Sequence, residues 1–311
     1  MIKGTTQLLG VIGYPVEHSF SPLMHNAAIA HLNAQASNEP SKEADFVYLP
    51  FPIHPDLLAM AIAGFTAIGL RGFNITIPHK QAIIPLLDEV SDVACAIGAV
   101  NTVWRDEDAQ GMYKWCGTNT DAVGFLAPLQ TLGRDWSNTP AMVLGNGGAA
   151  RAVVAACVQL GCPEVWVVGR SLDKLEAFAQ SWSAAPEIAE KLAVVPWEQL
   201  GEHLPKAGLV VNATPLGMHP EVNASPLSEA EIGRMGSGAI AYDLIYTPRP
   251  TRFLQKAHDA GLTAIDGLEM LVQQGAAALE IWLEQPAPVD VMRQTLLDYL
   301  ANRGSLNEGE S

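Results

Sequence analysis

The sequence has few positive charges. Its 311 residues include 18 lysines and arginines against 33 aspartates and glutamates, a formal net charge of −15. Nucleic-acid binding needs clustered basic side chains that contact phosphates, so this balance argues against nucleic acid as a partner. A small anionic substrate remains compatible, because it needs only a local site.

Cysteines and long apolar runs are also scarce. The four cysteines show no C-x-x-C spacing, which predicts free thiols in a reducing compartment and no metal site. No apolar run reaches the roughly 18 residues that span a bilayer. The first ten residues lack the apolar core of a signal peptide. We therefore expect a cytoplasmic globular protein without a membrane partner, and its length predicts about two domains.

A glycine-rich turn stands between an apolar stretch and an alanine-rich stretch. The segment 141–151 reads Ala-Met-Val-Leu-Gly-Asn-Gly-Gly-Ala-Ala-Arg, with Gly145, Gly147 and Gly148 in the turn. Glycines there let a pyrophosphate approach the backbone N–H groups at a helix N-terminus, where the helix dipole also favours an anion. The turn predicts dinucleotide binding, although a purely structural turn is the alternative.

From Ala141 onward, strand and helix patterns alternate. Strands are expected at 141–145, 164–168, 191–195, 207–212 and 239–243, and helices at 149–160, 172–182 and 250–260. Such alternation with short turns predicts an α/β fold, a doubly wound parallel sheet with helices on both faces.

The second of these strands ends at Arg170, with Ser171 and Lys174 close by. An enzyme that uses NAD usually has an acidic residue there for the ribose 2′-hydroxyl. A guanidinium can instead bind a 2′-phosphate with two hydrogen bonds, which predicts NADP. The alternative is a surface arginine followed by a helix-capping serine.

The first third of the chain offers polar residues at element ends. Ser19 and Ser21 lie before a predicted helix, and their hydroxyls could bind a carboxylate or only cap that helix, with Ser21 as the N-cap. His25 could be a ligand or a local hydrogen-bonder. Lys80 follows an apolar strand, where α/β proteins place ligands, although a lone lysine is usually a solvated charge. Asp121 suits the first turn of a helix, where an acidic side chain interacts favourably with the helix dipole. The more specific hypothesis is that Asp121 pairs with Lys80.

Together these segments resemble the shikimate dehydrogenase family, NADP-dependent enzymes of aromatic amino-acid biosynthesis. The resemblance runs from about Leu9 to Leu283. It rests on the order and spacing of three blocks: Gly13-x-Pro15-x-x-His18-Ser19-x-Ser21-Pro22-x-x-His25-Asn26, Asn74-Ile-Thr76-x-Pro78-x-Lys80 and Asn119-Thr-Asp121. It implies reversible NADPH-dependent reduction of 3-dehydroshikimate to shikimate in chorismate biosynthesis.

The resemblance also implies roles for residues at matching positions. The implied catalytic residues are Lys80 and Asp121. The implied substrate-binding residues are Ser19 and Ser21 for the carboxylate, Thr76, Asn101 and Gln274 for the ring hydroxyls, and Tyr242 nearby. The implied cofactor-binding residues are Gly145, Gly147, Gly148 and Ala149 at the pyrophosphate, Arg170, Ser171 and Lys174 at the 2′-phosphate end, and Thr214, Met218 and Gly267 at the nicotinamide.

The implied architecture has two domains. An N-terminal α/β substrate domain, residues 1–122 completed by about 267–303, is expected with a Rossmann-type NADP-binding domain, residues 123–266, and an active-site cleft between them. The polar residues 304–311 are expected to form a disordered tail. The oligomeric state stays open, with a homodimer among the options. The alternatives in function are a quinate/shikimate dehydrogenase with broader substrate and cofactor use, a non-catalytic NADP-binding regulatory protein and, more distantly, a folate dehydrogenase.

Overall fold

The computed structural model describes residues 2–36, 44–107 and 112–307. The strands in these ranges are β1 (Gln7–Gly13), β2 (Phe46–Pro52), β3 (Gly72–Ile75), β4 (Glu89–Val90), β5 (Thr102–Glu107), β6 (Tyr113–Thr118), β7 (Ala141–Leu144), β8 (Val165–Gly169), β9 (Leu192–Pro196), β10 (Leu209–Asn212), β11 (Ile240–Asp243) and β12 (Thr263–Ile265).

The helices connect these strands and extend the chain beyond them. They are α1 (Ser21–Gln35), α2 (Leu58–Ile68), α3 (His79–Ala82), α4 (Asp92–Ile97), α5 (Asp121–Gln130), α6 (Gly148–Leu160), α7 (Leu172–Gln180), α8 (Pro186–Ala189), α9 (Leu200–His203), α10 (Glu229–Ile232), α11 (Arg252–Asp259), α12 (Leu268–Leu283) and α13 (Val289–Asn307). Across the described residues, no helix combines the length and apolar character needed to cross a membrane.

The chain divides into two compact units. The first contains residues 1–95, 99–120 and 272–311, and the second contains 96–98 and 121–271. The sequence-based boundaries, 122 and about 267, differ from these by a few residues. Helix α13 ends at Asn307, and the disordered tail expected over residues 304–311 stays a prediction. The remaining tail residues, 308–311, lie outside the described part of the chain.

The first unit contains a mixed six-stranded sheet in the order β2-β1-β3-β5-β6-β4. The first three strands in this order run parallel, whereas β5 is antiparallel to both β3 and β6. Helix α2 packs Leu58, Ile62 and Phe65 into the core with Phe73 of β3, and it ends at Gly69 in a left-handed conformation, φ 69°. This sheet brings the ends of β1, β3 and β5 side by side.

The second unit contains six parallel strands in the order β12-β11-β10-β7-β8-β9. All residues of β7, β8, β10 and β11 are buried, which is typical of a parallel sheet covered by helices on both faces. The α/β fold with a parallel sheet, predicted from the alternation, and the Rossmann-type domain implied by the resemblance are therefore confirmed. The strand order reverses between β7 and β10, and ligands of such sheets bind at the carboxyl ends of the strands at this point.

Candidate active site

The loop before α1 holds the two serines. Ser21 is the first residue of α1 and is nearly buried, and the N-cap position belongs to Phe20, which makes no side-chain cap. The expectation that Ser21 caps the helix is therefore wrong. Ser19 stabilises this loop instead, because its Oγ accepts a hydrogen bond from Ser21 N at 3.3 Å. Pro22 lies in the first turn, and the helix begins at Ser21, one residue before the predicted start.

Asn101 lies at the centre of a buried hydrogen-bond network in the first unit. Its Oδ1 accepts from Thr120 N at 2.7 Å and from Thr102 Oγ1 at 3.0 Å. Its Nδ2 donates to Thr120 Oγ1 at 3.0 Å. The same Nδ2 donates to Gln274 Oε1 of α12 at 3.4 Å. The structure therefore brings together Asn101 and Gln274, two of the predicted substrate-binding residues.

Lys80 and Thr76 flank the corner between β3 and α3. Thr76 N donates to Ile12 O at 2.9 Å, which holds the corner against β1. Lys80 is half-buried, and its carbonyl accepts from Val100 N at 2.8 Å. The backbone of Lys80 is therefore tied to the residue next to Asn101.

Asp121 and Tyr242 belong to the second unit. Asp121 is the buried first residue of α5. One turn later on this helix, Phe125 stacks on Tyr242, with ring centroids 4.8 Å apart and ring planes 9° apart. The Tyr242 hydroxyl is buried and has no hydrogen-bond partner among the described residues. A buried hydroxyl without a partner is costly, so a ligand that hydrogen-bonds to it would gain affinity.

The glycine turn follows β7, as predicted. Gly145 has φ 102°, and a Cβ there would lie 3.2 Å from Ala213 O, so a side chain would strain the turn. A Cβ on Gly147 or Gly148 would meet nothing within 4 Å. Helix α6 begins at Gly148 with no acidic residue in its first turn and no side-chain cap. The open space, the uncapped N–H groups and the helix dipole fit a diphosphate.

The segment 212–218 follows β10 and is shaped by Asn212. Asn212 Oδ1 accepts from Thr214 N at 3.0 Å and from Thr214 Oγ1 at 2.7 Å. Asn212 Nδ2 donates to Leu216 O at 3.1 Å and to Asp243 Oδ1 at 3.0 Å. Asp243 also accepts from Thr251 Oγ1 at 2.6 Å. This buried carboxylate thus holds the segment that carries Thr214 and the half-exposed Met218.

Burial raises the pKa of Asp243 to about 6, although hydrogen bonds from Thr251, Ile245 and Asn212 oppose the shift. The folded state therefore binds the proton more tightly than the unfolded state does. The stability from this group is fully present below about pH 4 and is lost as the pH rises through about 6.

Replacing Asp243 with asparagine should remove this pH dependence. Between pH 4 and 7, the free energy of unfolding of the wild type should fall by about 2 kcal/mol relative to Asp243→Asn, because each pKa unit is worth about 1.4 kcal/mol and part of the change occurs below pH 4. Urea unfolding at several pH values measures the difference. The exposed Asp259→Asn is the control and should keep the wild-type slope. A parallel pH profile for Asp243→Asn would contradict the expectation.

The residues after β8 are open to solvent. Arg170 is exposed and forms no ion pair within the described part of the chain. Ser171 is the N-cap of α7 and accepts from Lys174 N at 3.5 Å, so the capping alternative holds for its side chain.

Gly267 lies where a Cβ would come within 2.1 Å of Leu244 O, and only glycine fits there.

Sequence reasoning assigned no function to several residues of these networks. Thr102, Thr120, Asn212 and Asp243 are buried polar residues that hold predicted site residues. The only sequence signal for them is that each lies at a strand end or just after one. No group of three or more His, Cys, Asp or Glu side chains that could hold a metal ion occurs among the residues the structure describes.

The second unit has a parallel sheet with an open glycine turn at the point where the strand order reverses. The first unit of the same chain is an α/β unit with a buried polar network. This combination is typical of two-domain, dinucleotide-dependent oxidoreductases. Three family models match the chain: the shikimate dehydrogenase substrate binding domain over residues 11–103, shikimate / quinate 5-dehydrogenase over 129–271, and the shikimate 5′-dehydrogenase C-terminal domain over 267–297.

Individual relatives agree with these models. The chain is 60% identical over 302 residues to the shikimate dehydrogenase (NADP⁺) of Trichormus variabilis, covering 96% of this chain and 99% of that protein. The Listeria monocytogenes shikimate 5-dehydrogenase, solved with shikimate and NAD, is 32% identical, with a TM-score of 0.81 and coverage of 95% and 98%. The Thermus thermophilus enzyme, solved with NADP(H) and shikimate, is 35% identical, with a TM-score of 0.77 and coverage of 93% and 98%. The chain belongs to the shikimate dehydrogenase (NADP⁺) family of oxidoreductases.

Proposed function

We propose that this protein catalyses the reversible NADPH-dependent reduction of 3-dehydroshikimate to shikimate, in the biosynthesis of chorismate and aromatic amino acids. The observation that carries the proposal is the buried network around Asn101. It supplies amide and hydroxyl groups suited to a ring with several hydroxyls, and it lies in the unit matched by the substrate-binding family model.

In this proposal the first unit recognises the substrate. Ser19 and Ser21 bind the carboxylate, and Thr76, Asn101 and Gln274 bind the ring hydroxyls. These groups are orientated before the substrate arrives, which lowers the entropy cost of binding.

Lys80 and Asp121 act on the same substrate molecule. The cofactor supplies the hydride for reduction and accepts it for oxidation. As the carbonyl oxygen gains negative charge during reduction, the Lys80 ammonium stabilises that charge and gives the oxygen its proton. In oxidation Lys80 takes the hydroxyl proton back. Asp121 accepts a hydrogen bond from a substrate hydroxyl. The Tyr242 hydroxyl gains its missing partner from the substrate.

The second unit binds NADP. The N–H groups at Gly147, Gly148 and Ala149 bind the diphosphate, and Gly145 gives the turn its shape. Arg170 binds the 2′-phosphate, with the Ser171 backbone and Lys174 beside it. Thr214, Met218 and Gly267 border the nicotinamide.

A turnover assay tests the proposal. NADP⁺ and NAD⁺ reduction are followed by absorbance with shikimate and with quinate, at mildly alkaline pH because oxidation releases a proton. We expect the highest kcat/KM for shikimate with NADP⁺. No turnover in any combination, from folded protein that binds NADPH, would refute the catalytic proposal and favour a regulatory NADP-binding protein.

The second candidate is a quinate/shikimate dehydrogenase with broader substrate and cofactor use. The family model that matches residues 129–271 is described as shikimate / quinate 5-dehydrogenase, and this description supports the second candidate. Comparable kcat/KM values for quinate and shikimate, or for NAD⁺ and NADP⁺, would establish this candidate instead.

We also propose a homodimer formed through the outer face of α2. Helix α2 has no charged residue, and its Met60 and Ile68 are 72% and 59% exposed. In a chain of net charge −15, an uncharged apolar face is where two copies can approach without strong repulsion.

Light scattering after gel filtration tests the dimer. The wild type should have twice the chain mass of 33.2 kDa, and Met60→Lys should be monomeric. Met112→Lys, a matched change at another exposed methionine, should remain dimeric. A monomeric wild type would contradict the proposal.

A further inference from the structure

Tyr48 of β2 has no part in the chemistry proposed above, yet its side chain is fully buried. His25 stacks on its ring, with centroids 4.3 Å apart and planes 11° apart. Trp282 of α12 is also in contact, at 5.9 Å between centroids. Two aromatic side chains of the first unit, His25 and Trp282, thus fix the position of the Tyr48 ring.

Asn26, the residue after His25, forms hydrogen bonds with the backbone of Tyr48. Asn26 Nδ2 donates to Tyr48 O at 2.8 Å, and Tyr48 N donates to Asn26 Oδ1 at 3.0 Å. Burial lowers the pKa of His25 to about 3, with the Asn74 side chain opposing this, so the stacked ring is neutral at physiological pH. His25 and Asn26 end the sequence block interpreted as the substrate loop, and both act on Tyr48.

The Tyr48 hydroxyl connects the ring to the polar network of the first unit. Tyr48 Oη donates to Asn74 Oδ1 at 2.7 Å. The single proton of the phenol is used in this hydrogen bond, and it sets which end of the Asn74 amide faces Tyr48.

The chain of hydrogen bonds continues from Asn74 to Asn101. Asn74 faces Thr102 across the antiparallel pair β3–β5. Asn74 Nδ2 donates to Asn101 O and to Thr102 Oγ1, both at 3.2 Å. Thr102 Oγ1 then donates to Asn101 Oδ1 at 3.0 Å, which leaves the Asn101 amide nitrogen directed to Gln274 and Thr120.

We propose that Tyr48 is a positioning residue for the substrate. Its hydroxyl orients Asn101 through Asn74 and Thr102. The inference rests on the proposed function, in which Asn101 binds a ring hydroxyl of the substrate. Tyr48 thereby fixes the direction of the amide group that recognises this hydroxyl.

Tyr48→Phe tests the role of the hydroxyl, because it keeps the stacked ring and removes only the oxygen. Asn74 Oδ1 loses its donor and Asn101 is held less firmly, so the KM for shikimate should rise about tenfold. We expect kcat to change less than about threefold and the KM for NADP⁺ less than about twofold, since the reacting groups remain. Tyr113→Phe, at a tyrosine that is 56% exposed, is the matched control and should change none of the three.

Thr102→Val tests the same chain at its far end, and it serves alone if Tyr48→Phe does not fold. It should also raise the KM for shikimate. In the double variant the two effects should combine to less than their product, because both substitutions break one chain of hydrogen bonds. An unchanged KM, a fall in kcat alone, a loss of thermal stability alone or fully multiplicative effects would overturn the role of Tyr48.

The wild type in the same assay separates the two proposals. Absence of shikimate turnover in the wild type refutes the proposed function. Normal wild-type turnover with an unchanged KM in both single variants refutes only the positioning role.

Discussion

Lys80→Met is expected to lower kcat for shikimate oxidation about 1,000-fold. Methionine keeps the apolar stem but can neither take a proton nor stabilise charge on the substrate oxygen. Binding of NADP⁺ should stay within about twofold, because Lys80 is assigned no contact with the cofactor. Steady-state kinetics give kcat, and circular dichroism with thermal unfolding shows that the fold is intact.

Lys114→Met is the matched control for this experiment. Lys114 lies on β6 and forms an ion pair with Glu89, with Nζ and Oε1 2.6 Å apart. Exposed ion pairs contribute little to stability, so this variant should stay folded and keep wild-type kcat. If Lys80→Met retained kcat within about fivefold of the wild type, Lys80 would be excluded as the acid/base.

Arg170→Ala is expected to raise the KM for NADP⁺ about 100-fold and to leave the KM for NAD⁺ almost unchanged. Two charge-assisted hydrogen bonds to a 2′-phosphate account for an effect of this size, and NAD⁺ has no such phosphate. The exposed guanidinium forms no ion pair within the described residues, so its removal leaves no charge unpaired there. Initial rates at varied concentrations of each cofactor measure the selectivity.

Arg252→Ala controls for the loss of one exposed positive charge in the same unit. Its KM for NADP⁺ should remain within about twofold of the wild-type value, because Arg252 is assigned no cofactor contact. If Arg170→Ala changed the KM for NADP⁺ less than about threefold, the assignment of Arg170 to the 2′-phosphate would be wrong.

The sheet of the second unit was predictable from sequence because its strands are short apolar runs between turn residues. The predicted strands 141–145 and 164–168 correspond to Ala141–Leu144 and Val165–Gly169, and the predicted helix 172–182 to Leu172–Gln180. Parallel strands are buried on both faces, so the whole run is apolar and easy to recognise. The predicted and observed bounds differ by one or two residues at the ends of strands and helices, where local capping interactions decide the last residue.

The supporting residues could not be predicted in the same way. Tyr48 lies on an apolar strand, where a tyrosine usually means core packing. Its link to Asn74 depends on the order of strands in a mixed sheet, which brings residues 26 positions apart together. Asp243 likewise is the last residue of a buried strand, and only the fold shows that it holds the segment after Asn212. The sequence block around Ser21 was recognisable, but its local geometry was not, since Phe20 rather than Ser21 precedes the helix.

The measurement that tests the central claim most directly is identification of the product. Shikimate and NADP⁺ are incubated with the wild-type protein, NADPH is followed by absorbance, and the carbon skeleton by NMR. The account predicts 3-dehydroshikimate and NADPH in equal amounts, and full reversal when 3-dehydroshikimate and NADPH are supplied instead. A ketone at another ring position, or NADPH formed without a ketone, would contradict it.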